Sequence, residues 1–167
     1  MEAVGGNVGA LLDAEHVPLV PVPGWAAQFQ GFASFLAQDP TGPELKRRRT
    51  HLKFIDDLGR ELAEGAHQAG VSPDEMSDWT IHHSEHDLRD MPALGLYREV
   101  IHEKLCNPRL VWEQNDLTDM MYLTVAAGYC DYVVGERSHI SHLRNGLRRM
   151  GRKSAVHPNL CSLMADL

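Results

Sequence analysis

Residues 115–137 read NDLTDMMYLTVAAGYCDYVVGER, and this stretch decides the predicted fold. Asn115 or Asp116 can cap a helix whose apolar residues recur at helical spacing, namely Met120, Leu123, Ala126 and Ala127. The short β-branched run at residues 131–135 follows that helix and ends in glycine and a charged pair. Such a run is typical of a buried strand that leaves a helix in a parallel sheet. The stretch therefore predicts an α/β fold.

The flanking sequence predicts further helices around a small sheet. Apolar periodicity and breakers predict helices at residues 7–15, 25–37, 44–69, 94–105 and 138–150, a helix start at Ser72 and a short helix within 158–167. Residues 17–22 are expected to be extended, 78–90 to be loop with a short helix, and 155–157 to be a last strand. We therefore predict one domain over residues 1–167, with a small parallel sheet flanked by many helices.

The composition limits the class of protein. The chain has 167 residues, of which 43% are hydrophobic and 23% charged, as in ordinary globular domains and unlike disordered or fibrous chains. Its apolar runs are shorter than the roughly 20 residues of a membrane helix, and its first residues lack a secretory signal pattern. Cys106, Cys130 and Cys161 are sparse and widely spaced, which predicts reduced, core-filling thiols in a cytoplasmic protein without membrane partners.

The charge is unevenly distributed along the chain. The net charge is −7, but six basic residues and no acidic residue lie between Arg137 and Lys153. A second basic run occupies residues 46–49. Each run has two interpretations, a solvated helix face or a footprint for an anionic polymer.

Three carboxylates could form a metal site. Asp116 and Asp119 are three residues apart, so they share a helix face near its N-terminus. Glu136 follows the carboxyl end of the predicted strand, where parallel α/β sheets bind ligands. Since helix and strand are consecutive, these side chains can converge on one ion, and an oxygen-rich set suits Mg²⁺ or Mn²⁺.

Residues 116–143 resemble the C-terminal half of a PIN-like domain, the metal-dependent ribonuclease fold. A wider stretch, residues 90–92 followed by 112–136, also resembles uncharacterised PIN-like proteins of actinobacterial type. Asp119 opens the pattern, Ala126-Ala127 supplies its small residues, and Val133-Val134-Gly135-Glu136 supplies the strand end. Gly135 stands where Thr or Ser is common. The first strand of such a domain carries an Asp. In this sequence only residues 11–14 (LLDA) offer one, and they fall within a predicted helix. The first strand is therefore expected to be missing.

The resemblance implies a metal-dependent endoribonuclease that uses Mg or Mn. It implies that the metal ligands and catalytic acids are Asp119, Asp116 and Glu136, and that the RNA backbone is attracted by Arg137, Arg144, Arg148 and Arg149. A homodimer and an inhibitor protein are further partners that it suggests.

Other interpretations stay open. A catalytically degenerate PIN-like module would bind RNA or a protein partner without cleavage. A helical regulatory protein would not bring Asp116, Asp119 and Glu136 together. The histidine-rich stretch at residues 82–86 (HHSEH), His102, and His139 with His142 could bind zinc, although most such residues are simply solvated.

Overall fold

The computed structural model describes residues 24–153 and 155–167, which form nine helices and two short strands. The predicted elements at residues 7–15 and 17–22 lie outside the described residues. In chain order the elements are α1 (Trp25–Gln38), α2 (Pro43–Asp57), α3 (Gly59–Gln68), α4 (Pro73–His82), α5 (Ser84–Asp90), α6 (Pro92–Leu105), α7 (Asp116–Tyr129), β1 (Tyr132–Val134), α8 (Arg137–Met150), β2 (Ala155–His157) and α9 (Leu160–Met164).

Helix α6 lies at the centre of the structure. It packs against α1, α2, α5, α7 and α8. Its apolar side chains are almost completely buried, as expected for a helix surrounded by others: Leu96, Val100, Ile101 and Leu105. Helix α7 approaches α6 so closely that a Cβ on Gly128 would lie 2.9 Å from the backbone nitrogen of Ala93. The glycine is therefore required by the close contact of the two helices.

The two strands form a small parallel pair. Tyr132 pairs with Ala155, Val133 with Val156, and Val134 with His157. Helix α8 connects them and buries one stripe of side chains, Ile140, Leu143, Leu147 and Met150. In β1 only Val133 is buried, so the strand is not the fully buried one that the sequence predicted.

The predicted α/β, PIN-like fold class is wrong for the part of the chain that the structure describes. Helices account for 72% of it, and the sheet has two strands of three residues each. The physical reason is that α1, α2, α5 and α6 bury their apolar stripes against one another and not against a sheet. The protein is therefore mainly helical, with one small parallel pair near its C-terminus.

Two further helical predictions need correction. The single helix predicted at 44–69 is interrupted at Leu58, whose φ of −100° and ψ of 4° end α2 before α3 begins at Gly59. Residues 78–90 are almost wholly helical because α5 buries Leu88 and because the Trp79 indole donates a hydrogen bond to Asp87 at 2.8 Å. The predicted start at Ser72 is confirmed, since Ser72 caps α4 in a capping box.

Candidate functional site

Asp119 and His139 face each other between the first turns of α7 and α8. The Asp119 Oδ2 atom lies 3.8 Å from His139 Nε2. The Asp119 side chain is 50% exposed, whereas that of His139 is 13% exposed. A solvent-accessible carboxylate therefore stands next to a largely enclosed imidazole, an arrangement that can bind a cation or hold a proton.

Asp116 has a different environment, although it lies in the same helical turn. It is buried, and it accepts hydrogen bonds from Lys104 Nζ and, at 2.6 Å, from the backbone N–H of Glu113. The Lys104 ammonium also lies 4.6 Å from the ring centroid of Trp112. Asp116 thus ties the segment before α7 to α6, and its carboxylate is already occupied.

Glu136 occupies the N-cap position of α8, two residues after the end of β1, and is exposed. The preceding Gly135 donates its backbone N–H to the carbonyl of His157 at 3.0 Å, at the carboxyl end of both strands. A Cβ on Gly135 would meet the end of the Leu123 side chain at 2.9 Å, a contact that a small shift of that side chain would relieve. His157 itself is buried, and its Nε2 has no partner among the described residues. Polar groups therefore gather at this end of the sheet.

The four arginines assigned to RNA binding have different surroundings. Arg137 and Arg148 are exposed on α8, and no carboxylate within the described ranges forms an ion pair with either. Arg144 donates two hydrogen bonds to the carbonyl of Val156, at 3.2 and 2.7 Å. Arg149 is bound to acidic side chains of α6. Arg137 and Arg148 are therefore the two whose charge is most available to a ligand.

A basic recess lies at the opposite end of the strands from Glu136. It has a volume of about 730 Å³ and lies between the ends of α7 and α8 and the start of β2. Its lining includes four basic side chains and one acidic residue: Arg144, Arg148, Arg152, Lys153 and Asp131. The positive charge suits an anionic ligand such as a phosphate backbone.

A buried charge cluster, which no sequence pattern indicated, surrounds Glu99 of α6. Glu99 is 2% exposed and accepts hydrogen bonds from Arg47, Arg98 and Arg149, at 2.6, 2.7 and 2.8 Å respectively. Burial acts to raise the pKa of Glu99, but the hydrogen bond and charge of Arg47 and the other two guanidinium groups outweigh it and hold the pKa at about 2. The cluster therefore joins α2, α6 and α8 through one ionised carboxylate.

Neighbouring titratable groups belong to the same helix interface. Burial acts to raise the pKa of Glu103, but hydrogen bonds from His142, Asn145 and Arg149 bring it to about 2. Burial, together with the charge of Arg47, lowers the pKa of His102 to about 4, so its ring is neutral near pH 7. His102 Nδ1 lies 2.6 Å from the Thr50 hydroxyl. These contacts indicate that Glu103 and His102 have a structural role at this interface.

The described residues contain no group of three or more His, Cys, Asp or Glu side chains placed to hold a metal ion. The histidine stretch is exposed and pairs locally: His82 and His83 lie near Asp78, and His86 near Asp87. The structure thus gives the zinc interpretation no support within the described range. No helix of that range is long and apolar enough to span a membrane.

An apolar groove is the second feature that sequence reasoning missed. It has a volume of about 500 Å³ and lies between α1, α2, α6 and α7. Asp57 is the one charged residue in its lining. Burial of the Tyr97 side chain and, to a smaller extent, the charge of Asp57 raise the pKa of Tyr97 to about 12. The sequence of α7 does contain a signal for this groove. Its residues 117, 121, 125 and 129 form a second apolar stripe beside the predicted stripe that includes Met120 and Leu123.

Comparison with known proteins finds no match: no family model, no curated protein and no solved structure is similar to this chain. The function of this chain is therefore inferred from the geometry of these residues and from the sequence pattern.

Proposed function

We propose that this chain hydrolyses RNA phosphodiester bonds in a reaction that requires Mg²⁺ or Mn²⁺, at the pair formed by Asp119 and His139. The observation that carries the proposal is the pair formed by Asp119 and His139, with a half-exposed carboxylate 3.8 Å from an imidazole nitrogen. The pair lies where α7 and α8 begin, and Glu136 is the N-cap residue that precedes α8. The resemblance of residues 116–143 to PIN-like nucleases supports the same activity.

The donor set suits a hard divalent cation. Mg²⁺ in phosphoryl-transfer sites commonly binds one or two carboxylates and completes its shell with water and substrate phosphates. Asp119 would be such a carboxylate, with the His139 imidazole beside it, and water and substrate phosphates would complete the shell. Such an ion, when bound, lowers the pKa of a coordinated water and so supplies the nucleophile. Asp116 is left out, because Lys104 and the Glu113 N–H already occupy its carboxylate.

The remaining residues have roles in binding. Arg137 follows Glu136 directly and is exposed, so it can neutralise the charge of a phosphate that approaches the pair formed by Asp119 and His139. Arg148 lies on the same helix, about 16 Å further along at 1.5 Å per residue. A single strand of RNA laid along α8 would contact both guanidinium groups.

A cleavage assay tests this proposal. The full chain is incubated with labelled single-stranded RNA in Mn²⁺, in Mg²⁺ and in chelator, beside Asp119→Asn and the control Asp56→Asn. Asp56 is exposed on α2, far along the chain from the proposed site, and its substitution removes the same charge. We expect cleavage in metal by wild type and the control, and none in chelator or with Asp119→Asn. Equal cleavage by Asp119→Asn, with unchanged circular dichroism, would refute the assignment.

A second candidate function is RNA binding without cleavage. The basic recess lined by Arg144, Arg148, Arg152 and Lys153 favours it, as does the lack of a three-donor cluster within the described residues. In the same experiment this function gives a salt-dependent gel shift with no product in either metal. Arg148→Glu would then weaken the shift, whereas Asp119→Asn would leave it unchanged.

The proposal also includes a reducing compartment, the cytoplasm. Cys106, Cys130 and Cys161 are all exposed, which contradicts the predicted core-filling role. Exposed thiols stay reduced where disulfides do not form. Mass spectrometry of the protein isolated under alkylating conditions should find all three thiols reduced.

A further inference from the structure

Helices α3 and α4 bury none of their residues completely, whereas α1, α2, α5, α6, α7 and α8 all bury part of theirs. Leu62 of α3 and Trp79 of α4 are half-buried and pack against the core. The other side of this helix pair faces solvent. The pair therefore has an apolar surface that the core of the described chain does not use.

A groove of about 520 Å³ lies between α3 and α4. Its lining is rich in small and apolar residues, which include Ala63, Ala66, Val71, Met76 and Ile81. Val71 is 40% exposed and Ile81 is 57% exposed. Gly70 ends α3 with a φ of 72°, and Val71 donates its backbone N–H to the carbonyl of Ala66 at 2.9 Å. The turn between the two helices is thus fixed by the backbone, and the groove is formed before any ligand arrives.

The helix pair that forms the groove is acidic. Residues 59–82 contain five exposed carboxylates and a single arginine, which is a net charge of −4: Glu61, Glu64, Asp74, Glu75, Asp78 and Arg60. The arginine binds Glu64 in an exposed ion pair at 3.2 Å, so the excess negative charge stays on the surface. This part of the chain repels a phosphate backbone and attracts a cationic ligand.

The carboxylates lie beside the groove on both helices. On α3, Glu64 is one helical step of about 100° from the lining residue Ala63, on the side opposite to Leu62. On α4, Asp78 is one such step from the lining residue Ser77. An apolar floor with acidic edges therefore faces solvent.

An amphipathic helix matches this surface. Helices that bind in a groove place apolar anchors at positions i, i+3 or i+4, and i+7. Such anchors extend about 10 Å at 1.5 Å per residue, and α4, with 10 residues, is about 15 Å long. Lys or Arg beside the anchors would meet the acidic edges, and this complementarity favours encounter with a basic partner over an acidic one.

A second copy of this chain does not offer such a helix in its described part. Its α3 and α4 carry the same negative charge and would repel the first copy. Its basic helix α8 buries the apolar stripe of Ile140, Leu143, Leu147 and Met150 in its own core, so that helix has no free anchors on that stripe. The occupant is therefore a separate partner with basic and apolar residues on one helix.

We propose that the groove between α3 and α4 binds an amphipathic helix of a partner protein that carries Lys or Arg beside its apolar residues. The apolar side chains of the partner contact Ala66, Met76 and Ile81. Its basic side chains pair with Glu64 and Asp78. The proposal uses no residue of the proposed RNA-cleaving site, so the two are tested separately.

Fluorescence anisotropy with the full chain tests this proposal. The probe is the fluorescein-labelled peptide LKKLLKLLKKLLKL, a basic amphipathic helix, and the control peptide has Glu in place of every Lys. We expect saturable binding of the Lys peptide and none of the Glu peptide. Ile81→Asp should weaken binding about tenfold or more, because it puts a charge in the apolar floor. The matched control Leu160→Asp, at a side chain that is 67% exposed on α9, should bind as wild type does.

A second pair of variants tests the acidic edges. Glu64→Lys combined with Asp78→Lys should weaken binding of the Lys peptide and reduce its dependence on salt. The control combines Asp90→Lys with Glu113→Lys, which makes the same change in charge at exposed residues outside the helix pair, and it should keep most of the affinity. Circular dichroism of each variant establishes that it is folded.

Four outcomes would overturn the proposal. The first is no binding of the Lys peptide by folded wild type. The second is equal affinity of wild type for the Lys and Glu peptides, and the third is equal affinity of wild type and folded Ile81→Asp for the Lys peptide. The fourth is self-association of wild type in sedimentation experiments that Ile81→Asp abolishes, which would show that a second copy occupies the groove.

Discussion

Removal of the negative charge of Glu99 is expected to destabilise the fold strongly. The carboxylate is 2% exposed and faces three guanidinium groups, so Glu99→Gln keeps its shape but leaves those cations without their counter-charge. The folded chain holds the pKa of Glu99 at about 2, against an ordinary value of 4.5. That difference corresponds to a loss of about 3 kcal/mol at pH 7.

The pH dependence gives this prediction its sign. Because the pKa of Glu99 is lower in the folded chain, its charge stabilises the fold above pH 4.5, and the stabilisation is lost as the pH falls towards 2. The difference in unfolding free energy between wild type and Glu99→Gln should therefore be full at pH 7 and shrink steadily below pH 4.5. Urea denaturation followed by circular dichroism at pH 7, 5, 4 and 3 measures this difference.

Glu85 supplies the matched control. It contacts two of the same arginines, Arg47 at 2.9 Å and Arg98 at 3.4 Å, but its side chain is 51% exposed. Glu85→Gln should cost less than about 1 kcal/mol, because water screens an exposed pair. Equal losses for the two variants, or a Glu99→Gln loss that does not change with pH, would refute the argument from burial.

Two further substitutions test the packing of α6 and α7. Gly128→Ala should lower the unfolding free energy by about 1–3 kcal/mol, because the new Cβ would press on the Ala93 backbone. Gly31→Ala, which has open space around it in α1, should instead raise the unfolding free energy by about 0.5–1 kcal/mol. Equal effects of the two substitutions in urea denaturation would contradict the close contact of α6 and α7. Asp116→Asn should lower stability by about 3 kcal/mol by leaving the buried Lys104 unpaired, and a melting temperature equal to that of wild type would show that Asp116 is not structural.

The local elements of the fold were largely predictable from the sequence. Periodicity placed the helix at residues 94–105 within two residues of α6, and the capping pattern at Ser72 placed the start of α4. The last strand was predicted with its observed bounds. These features depend on residues that are neighbours in the chain, which is why a sequence pattern contains them.

The buried charges were not predictable in this way. Arg98-Glu99 reads as a polar surface pair, yet the partners of Glu99 on α2 and α8 lie 52 and 50 residues away. Asp116 and Asp119 are equivalent by spacing, and only the tertiary contact with Lys104 separates a structural carboxylate from an available one. The fold class was wrong for a related reason, since a three-residue strand looks the same in sequence whether its sheet has two strands or six.

The parallel pairing of β1 and β2 has a consequence for the order of folding. Residues that pair across the two strands are 23 positions apart, because α8, 14 residues long, connects the strands. The contacts of Arg47 and Arg149 with Glu99 join residues 52 and 50 positions apart, so they close a loop about twice as long. The strand pair should therefore form before the charge cluster that joins α2, α6 and α8, and the carboxyl end of the strands, where Glu136 lies, should take shape early in folding.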